Sequence, residues 1–405
     1  MLENYMIGLG YSKEDIIDIL SDYILKDCQK ENLLEKIKET YSFLLEKKYS
    51  KEEIIKMTKT YPSLIVFNTK TIENKINDLK KVGYNEEEIH KMVKKSPSIL
   101  GFSIEKINEK IENFKTIGYT KENILRMTKL VPAIYNLSKE NIKTKISDME
   151  NIGYTKKEII KITSSLPSIY SFNIDKIKQK IEYMENIGYS KIDILKMTKI
   201  LPTIYNYSLE NMEQKIKDLE ILGYKREDII NMSKKFPQLY SQSTSVMAKK
   251  ITDLESLGYE RNEIISMTKN CPFILGLDIN NIKTKISNIE SLGYKRKEVI
   301  IMTKMLPTLF GLKFENIKQK IEYYDSIGLH ELAIKNPRQL MQSIELTYAR
   351  YEFFKEKGIK IDMSNYNKLF AFQKRFEELY NISKERMLKL YDYNQYIQKN
   401  NIKGV

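Results

Sequence analysis

The chain has 405 residues, 41% of them hydrophobic and 10% aromatic, and carries a net charge of +14. That apolar content is ample for a continuous core. No apolar run approaches the ~20 residues of a membrane span, and two cysteines, Cys28 and Cys271, are too few for a disulfide framework or a zinc site. A reducing compartment is expected on the same ground. The cationic surplus points to a polyanionic partner, nucleic acid first and an anionic membrane surface second. Nearly all of it is lysine, with eight arginines between Arg126 and Arg386. Lysine is a compact point charge suited to phosphate, whereas arginine is the forked donor that reads guanine.

The first residues, MLENYMIGLGYSKEDIIDIL, lack a secretory pattern and are too acidic and arginine-poor for a transit peptide. The expected location is therefore bacterial cytoplasm, or an organellar matrix after loss of such a peptide, and not the exterior. Residues 1–47 read as a capping repeat, because Gly10-Tyr11-Ser12 opens a unit that lacks a proline and runs three residues longer than its successors. From residue 48 the chain becomes periodic. Pro62, Pro97, Pro132, Pro167, Pro202, Pro237, Pro272 and Pro307 stand 35 residues apart, and Gly83, Gly118, Gly153, Gly188, Gly223, Gly258, Gly293 and Gly328 keep the same step. A fixed period in this range marks a stacked array in which each unit buries its apolar face on its neighbours. The predicted fold is an all-α solenoid, of either hand, of about eight to nine three-helix repeats with degenerate caps. Eight of the repeats occupy residues 48–327.

The unit from Gly118 to Ile152 shows how each repeat is written. Thr120 is an N-cap, a slot held elsewhere by Ser50, Thr155 and Ser190; in Ser50-Lys-Glu-Glu53 and Thr155-Lys-Lys-Glu158 the acid three residues on completes a capping box. A first helix follows with Ile124, Met127 and Thr128 along one face. Pro132 ends it, since the ring removes an amide donor and restricts the residue before it. One tight helical turn is expected after the proline. Ser138 then caps a second long helix, and its slot holds Asn68, Ser103, Asn173, Ser208, Ser243 and Asp278, with Lys313 breaking the rule. Ile142, Ile146, Met149 and Ile152 form that helix's buried stripe; Gly153 takes the left-handed position that ends it, with Tyr154 packed behind.

Residues 328–358 form a shortened ninth repeat. They keep the 21-residue proline-to-glycine spacing but lose five residues from the first helix. Residues 359–405 read as a helical cap off the period. The methionines at Met57, Met92, Met127, Met197, Met232, Met267 and Met302 read as core filling, and Tyr84 with its equivalents as packing behind the turn. His90 replaces an aliphatic residue of a stripe and reads as a core histidine; His330 has no obvious partner. No phosphate loop, metal-ligand cluster or nucleophile–base pair is present, so a non-enzymatic protein without cofactor or metal is expected.

The phrase Gly-Tyr-Ser/Thr-Lys-Glu-Asp-Ile-Ile, then Lys-Met-Thr-Lys-x-x-Pro-x-Ile-Tyr/Leu, recurs as in Gly188-Tyr189-Ser190 through Leu201-Pro202-Thr203-Ile204-Tyr205. It resembles the repeat of the mitochondrial transcription termination factor (mTERF) family over roughly residues 48 to 358. The resemblance implies a curved solenoid of three-helix repeats whose basic groove holds double-stranded nucleic acid. It also implies a role in organellar transcription, replication or ribosome biogenesis.

Two lysine ladders are the candidate nucleic-acid contacts. Lys75, Lys110, Lys145, Lys180, Lys215, Lys250, Lys285 and Lys320 share one slot of the second helix in all eight repeats. At 100° per residue that slot lies within the apolar stripe, so its ammonium must snorkel outward. It suits either a ladder of phosphate contacts or a repeated structural contact. Lys59, Lys94, Lys129, Lys199, Lys234, Lys269 and Lys304 form the second ladder, on the first helix, with Ser164 the exception. One turn earlier stand Lys56, Lys91, Arg126, Lys161 and Lys196, replaced by Asn231, Ser266 and Ile301 in later repeats. A further slot, after the N-cap, holds Lys51, Lys121, Lys156, Lys191, Arg226, Arg261 and Arg296 and reads as a solvated face. Side chains after the proline vary, as at Val66, Gly101, Asn136 and Gly276, which drift explains as well as base reading does. The leading expectation is a monomeric double-stranded DNA-binding transcription regulator or terminator; RNA binding and a protein-interaction scaffold are the alternatives.

Overall fold

The structure, a computed structural model, describes residues 1–22, 25 and 30–399; Cys28 lies outside them. Every regular element among the described residues is helical. The repeat that begins at Gly118 has a first helix over Lys121–Leu130, a 3-10 turn over Pro132–Asn136 and a second helix over Lys139–Ile152. Thr120 accepts from the Asn123 amide, and the Asn123 side chain bonds back to the Thr120 amide. Val131, before the proline, leaves helical geometry at φ −137° and ψ 84°, which places Pro132 at the first position of the tight turn. The second helix ends at Gly153 with φ 121°, a backbone that only glycine adopts without strain, and the Tyr154 amide reaches back to the Met149 carbonyl.

The pattern repeats along the chain with small local departures. Asn68, Ser103, Ser138, Asn173 and Asp278 cap their second helices through the side chain, and Lys313 does not. Ser243 departs from expectation: its hydroxyl turns to Ser245, 2.6 Å away, and makes no cap bond. In the capping repeat, Gly10 has φ 107° and Ser12 forms a full capping box with Asp15.

The chain parts into two compact units, Met1–Leu209 and Glu210–Val405. Within the first, successive first helices pack side by side from Lys13–Leu20 through Lys191–Ile200. Second helices form a parallel row, as where Thr69–Val82 meets Ile104–Ile117 and Lys139–Ile152 meets Ile174–Asn186. The core between the rows takes Ile124, Met127, Ile142 and Met149 with almost no exposure. In the second unit, Arg226–Lys235 packs on Arg261–Asn270, and the short helix Leu332–Lys335, within residues 328–358, packs on Arg296–Met305.

That unit closes on an arginine. Arg350, 3% exposed, donates to the Leu369 and Ala371 carbonyls at 2.8 Å each and to Gln373 at 3.0 Å, and lies 4.4 Å from the Phe376 ring centre. Burial lowers its pKa to about 10.

Candidate nucleic-acid interface

The first ladder lies between repeats. Lys110, on a second helix, donates to the Leu137 carbonyl of the next repeat at 2.7 Å. Leu137 sits in the extended link between tight turn and second helix, where no helical amide reaches its oxygen. Lys145 serves Phe172 in the same way, Lys215 serves Gln242 and Lys285 serves Leu312. Lys180 gathers the carbonyls of Ile204, Tyr205 and Tyr207, and Lys320 reaches Leu340 at 2.7 Å. Lys145 and Lys180 are 8% exposed and Lys250 is 6% exposed. Burial pushes the pKa of Lys145, Lys180, Lys215, Lys250, Lys285 and Lys320 below the ordinary lysine value. Lys75 is half-buried.

The sequence left this slot open to a ladder of phosphate contacts or a repeated structural contact, and the structure shows a structural contact at six of the eight positions. A solvated ammonium free to meet phosphate would keep its water shell. Six of these eight instead spend a donor on the backbone of the following repeat. The slot lies in the apolar stripe because its task is there: the stem covers core and the ammonium satisfies a carbonyl that would otherwise be orphaned.

The second ladder lies nearer the surface, and it too joins repeats. Lys129 meets Glu88 at 2.7 Å, Lys199 meets Glu158 at 2.6 Å, and Lys269 meets Asp228 at 3.0 Å. Lys94 pairs with Glu53, Lys304 with Glu263, and Lys59 with Asp15 of the capping repeat. Each acid stands three residues after an N-cap, so Glu158 bonds at once to its own cap amide on Thr155 and to Lys199 of the next repeat. These two contacts, the lysine first, hold its pKa at about 2. The sequence carries a signal of this pairing. Asn123 occupies the acid slot in one repeat, and Ser164, not lysine, occupies the facing slot.

A third inter-repeat device lies in the core. Thr128 donates its one hydroxyl hydrogen to the Ile124 carbonyl, so Tyr84 of the preceding repeat must donate to Thr128. The Tyr84 oxygen is then free to accept from Tyr135 at 2.7 Å. Tyr119 with Thr163 and Tyr170, and Tyr154 with Thr198 and Tyr205, repeat the relay. In the second unit Tyr224 meets Thr268 at 2.7 Å and Tyr259 meets Thr303 at 2.6 Å. Burial raises every one of these tyrosines above the ordinary value, Tyr259 to about 12. The sequence reading took the threonine merely as part of the buried face. Tyr49 faces Val93 in place of threonine and stacks on His90 at 4.0 Å, so His90 is a half-buried ring partner, not a core residue. His330, expected to stand alone, bonds Asp325 at 2.8 Å and stacks on Tyr294.

Variation after the proline has a packing cause at Gly101. A Cβ there would stand 2.5 Å from the Tyr61 hydroxyl of the preceding repeat.

The mTERF family model matches residues 3–116, 105–220 and 205–377, nearly the whole chain. The chain belongs to the mTERF family. Proteins of this family are generally nucleic-acid-binding helical-repeat proteins and not enzymes, and its fold here is the all-α solenoid of mTERF repeats that the sequence predicted. No curated protein matches the sequence. Among the described residues no helix is long and apolar enough to cross a membrane. On the mTERF repeat, therefore, both lysine ladders make contacts between repeats.

Proposed function

We propose that the protein binds double-stranded DNA through phosphate contacts and regulates transcription by standing in the path of an advancing polymerase. The observation that carries this reading is a +14 net charge in an mTERF repeat array whose exposed first-helix cations recur at one slot in successive repeats. Equivalent cations at a fixed step suit a polymer of equivalent charges, and near-identical side chains favour backbone contact over base reading. The ladder from Lys59 edges this surface: Lys59, Lys94, Lys129, Lys199, Lys269 and Lys304 are 29–50% exposed and can turn toward phosphate where it competes with their carboxylates.

Competition at fixed salt among duplex DNA, duplex RNA and single strands tests the proposal. Duplex DNA should displace the others. Preferred binding of duplex RNA or of single strands would move the protein to RNA processing or ribosome biogenesis, and no binding to any of them would leave the interaction scaffold.

A further inference from the structure

We infer that polyanion contact is made by one row of side chains confined to the N-terminal unit: Lys56, Lys91, Arg126, Lys161 and Lys196. This deepens the nucleic-acid reading and rests on it. All five are exposed, and all lie one turn before the slot of the Lys59 ladder on their first helix, which holds Ser164 after Lys161 and lysine after the other four. Those helices, from Lys51–Thr60 to Lys191–Ile200, pack directly on one another. Equivalent atoms on packed helices are separated by about 8–10 Å, or one cation for roughly every third phosphate along a duplex strand.

What separates this row from the two lysine ladders is that it is left free of contacts between repeats. Only Lys91 has a carboxylate partner, Glu87 at 2.6 Å on the same helix; Lys56, Arg126, Lys161 and Lys196 have no ion pair among the described residues. The second unit, taken by itself, holds Asn231, Ser266 and Ile301 at that slot. It also neutralises its other recurring exposed cations: Arg226 pairs with Glu213, Arg261 with Glu255 and Arg296 with Glu290. Ile301, 40% exposed, puts an aliphatic side chain where the N-terminal unit has a cation. The row also stops at the other end, since Asp18 occupies the slot in the capping repeat.

A matched control exists on the same four helices. Lys51, Lys121, Lys156 and Lys191 are exposed, recur at the same step and have no ion pair among the described residues. They stand five residues before the row, about 140° around the helix. The experiment compares K56Q/R126Q/K161Q/K196Q with K51Q/K121Q/K156Q/K191Q in the full chain, measuring affinity for random-sequence duplex DNA against salt. Both lose four positive charges from exposed positions, so thermal melting should stay at the wild-type value in each.

The row variant should lower the magnitude of the log affinity–log salt slope by about 3 to 4 and weaken binding at 0.15 M salt by about 10²- to 10³-fold. The control should change the slope by no more than about one. Equal effects of the two variants, or a row variant that binds as wild type does, would overturn the inference. Failure of the wild-type chain to bind any nucleic acid would instead remove the reading beneath it, and that result is known before either variant is made.

Discussion

At the scale of single residues, the lysines of the second helices are the clearest case of one side chain doing what an isolated sequence position cannot reveal. Lys180 is 8% exposed and its ammonium meets three backbone carbonyls of the following repeat. Substituting K180M keeps the stem and its packing but leaves those carbonyls without a donor. An unsatisfied buried acceptor costs about 1–3 kcal/mol. The melting temperature should therefore fall by roughly 3–8 °C in differential scanning calorimetry. Affinity for duplex DNA at fixed salt should stay within about twofold, as expected when one positive charge is removed away from the contact row. A variant that melts as wild type does but binds tenfold more weakly would return Lys180 to the binding surface. The relation was hard to see in sequence because donor and acceptor lie 27 residues apart in different repeats, and the acceptor is a main-chain oxygen that leaves no mark on side-chain identity. Position alone located the slot correctly within the apolar stripe, and that oddity was the legible part.

At the scale of the helix, most of what forms each element is local and was readable. The capping residues, the proline stop and the glycine end act within a few residues, so Thr120, Pro132 and Gly153 announce their own roles. Ser243 shows the limit, since a neighbouring hydroxyl at Ser245 drew its side chain from the cap. The capping acids carry a consequence for pH. Glu158 is held at about 2 by Lys199 and the Thr155 amide, below its unfolded value, so its stabilisation is fully present above about pH 5 and is lost as the pH falls toward 2. Glu53, Glu88 and Glu263 are lowered by equivalent lysines and act in the same direction. A partly exposed ion pair contributes about 0.2–1 kcal/mol. E158Q should thus melt about 1–3 °C below wild type at pH 7, with the difference closing by pH 2. A gap that persists at pH 2 would mean that the Glu158 contribution is packing and not charge.

At the scale of the whole molecule, charge is divided between two tasks. The ladder from Lys75 and the ladder from Lys59 recur in both units, and each unit uses them chiefly to join one repeat to the next. The free row from Lys56 to Lys196 belongs to the N-terminal unit alone. Net charge correctly signalled a polyanionic partner, but counting lysines could not say which were spent internally. The pairing of Asn123 with Ser164 was the one sequence clue that the first-helix ladder answers to an acid. Salt dependence counts the contacts made, because each phosphate neutralised on B-DNA contributes about −0.9 to the slope of log affinity against log salt. Five row contacts predict a slope of about −4.5 for the wild-type chain on random-sequence duplex DNA. A slope of about −7 or steeper would bring one of the lysine ladders, from Lys59 or from Lys75, into contact with phosphate beside the row, and a slope near zero would contradict phosphate-driven binding altogether.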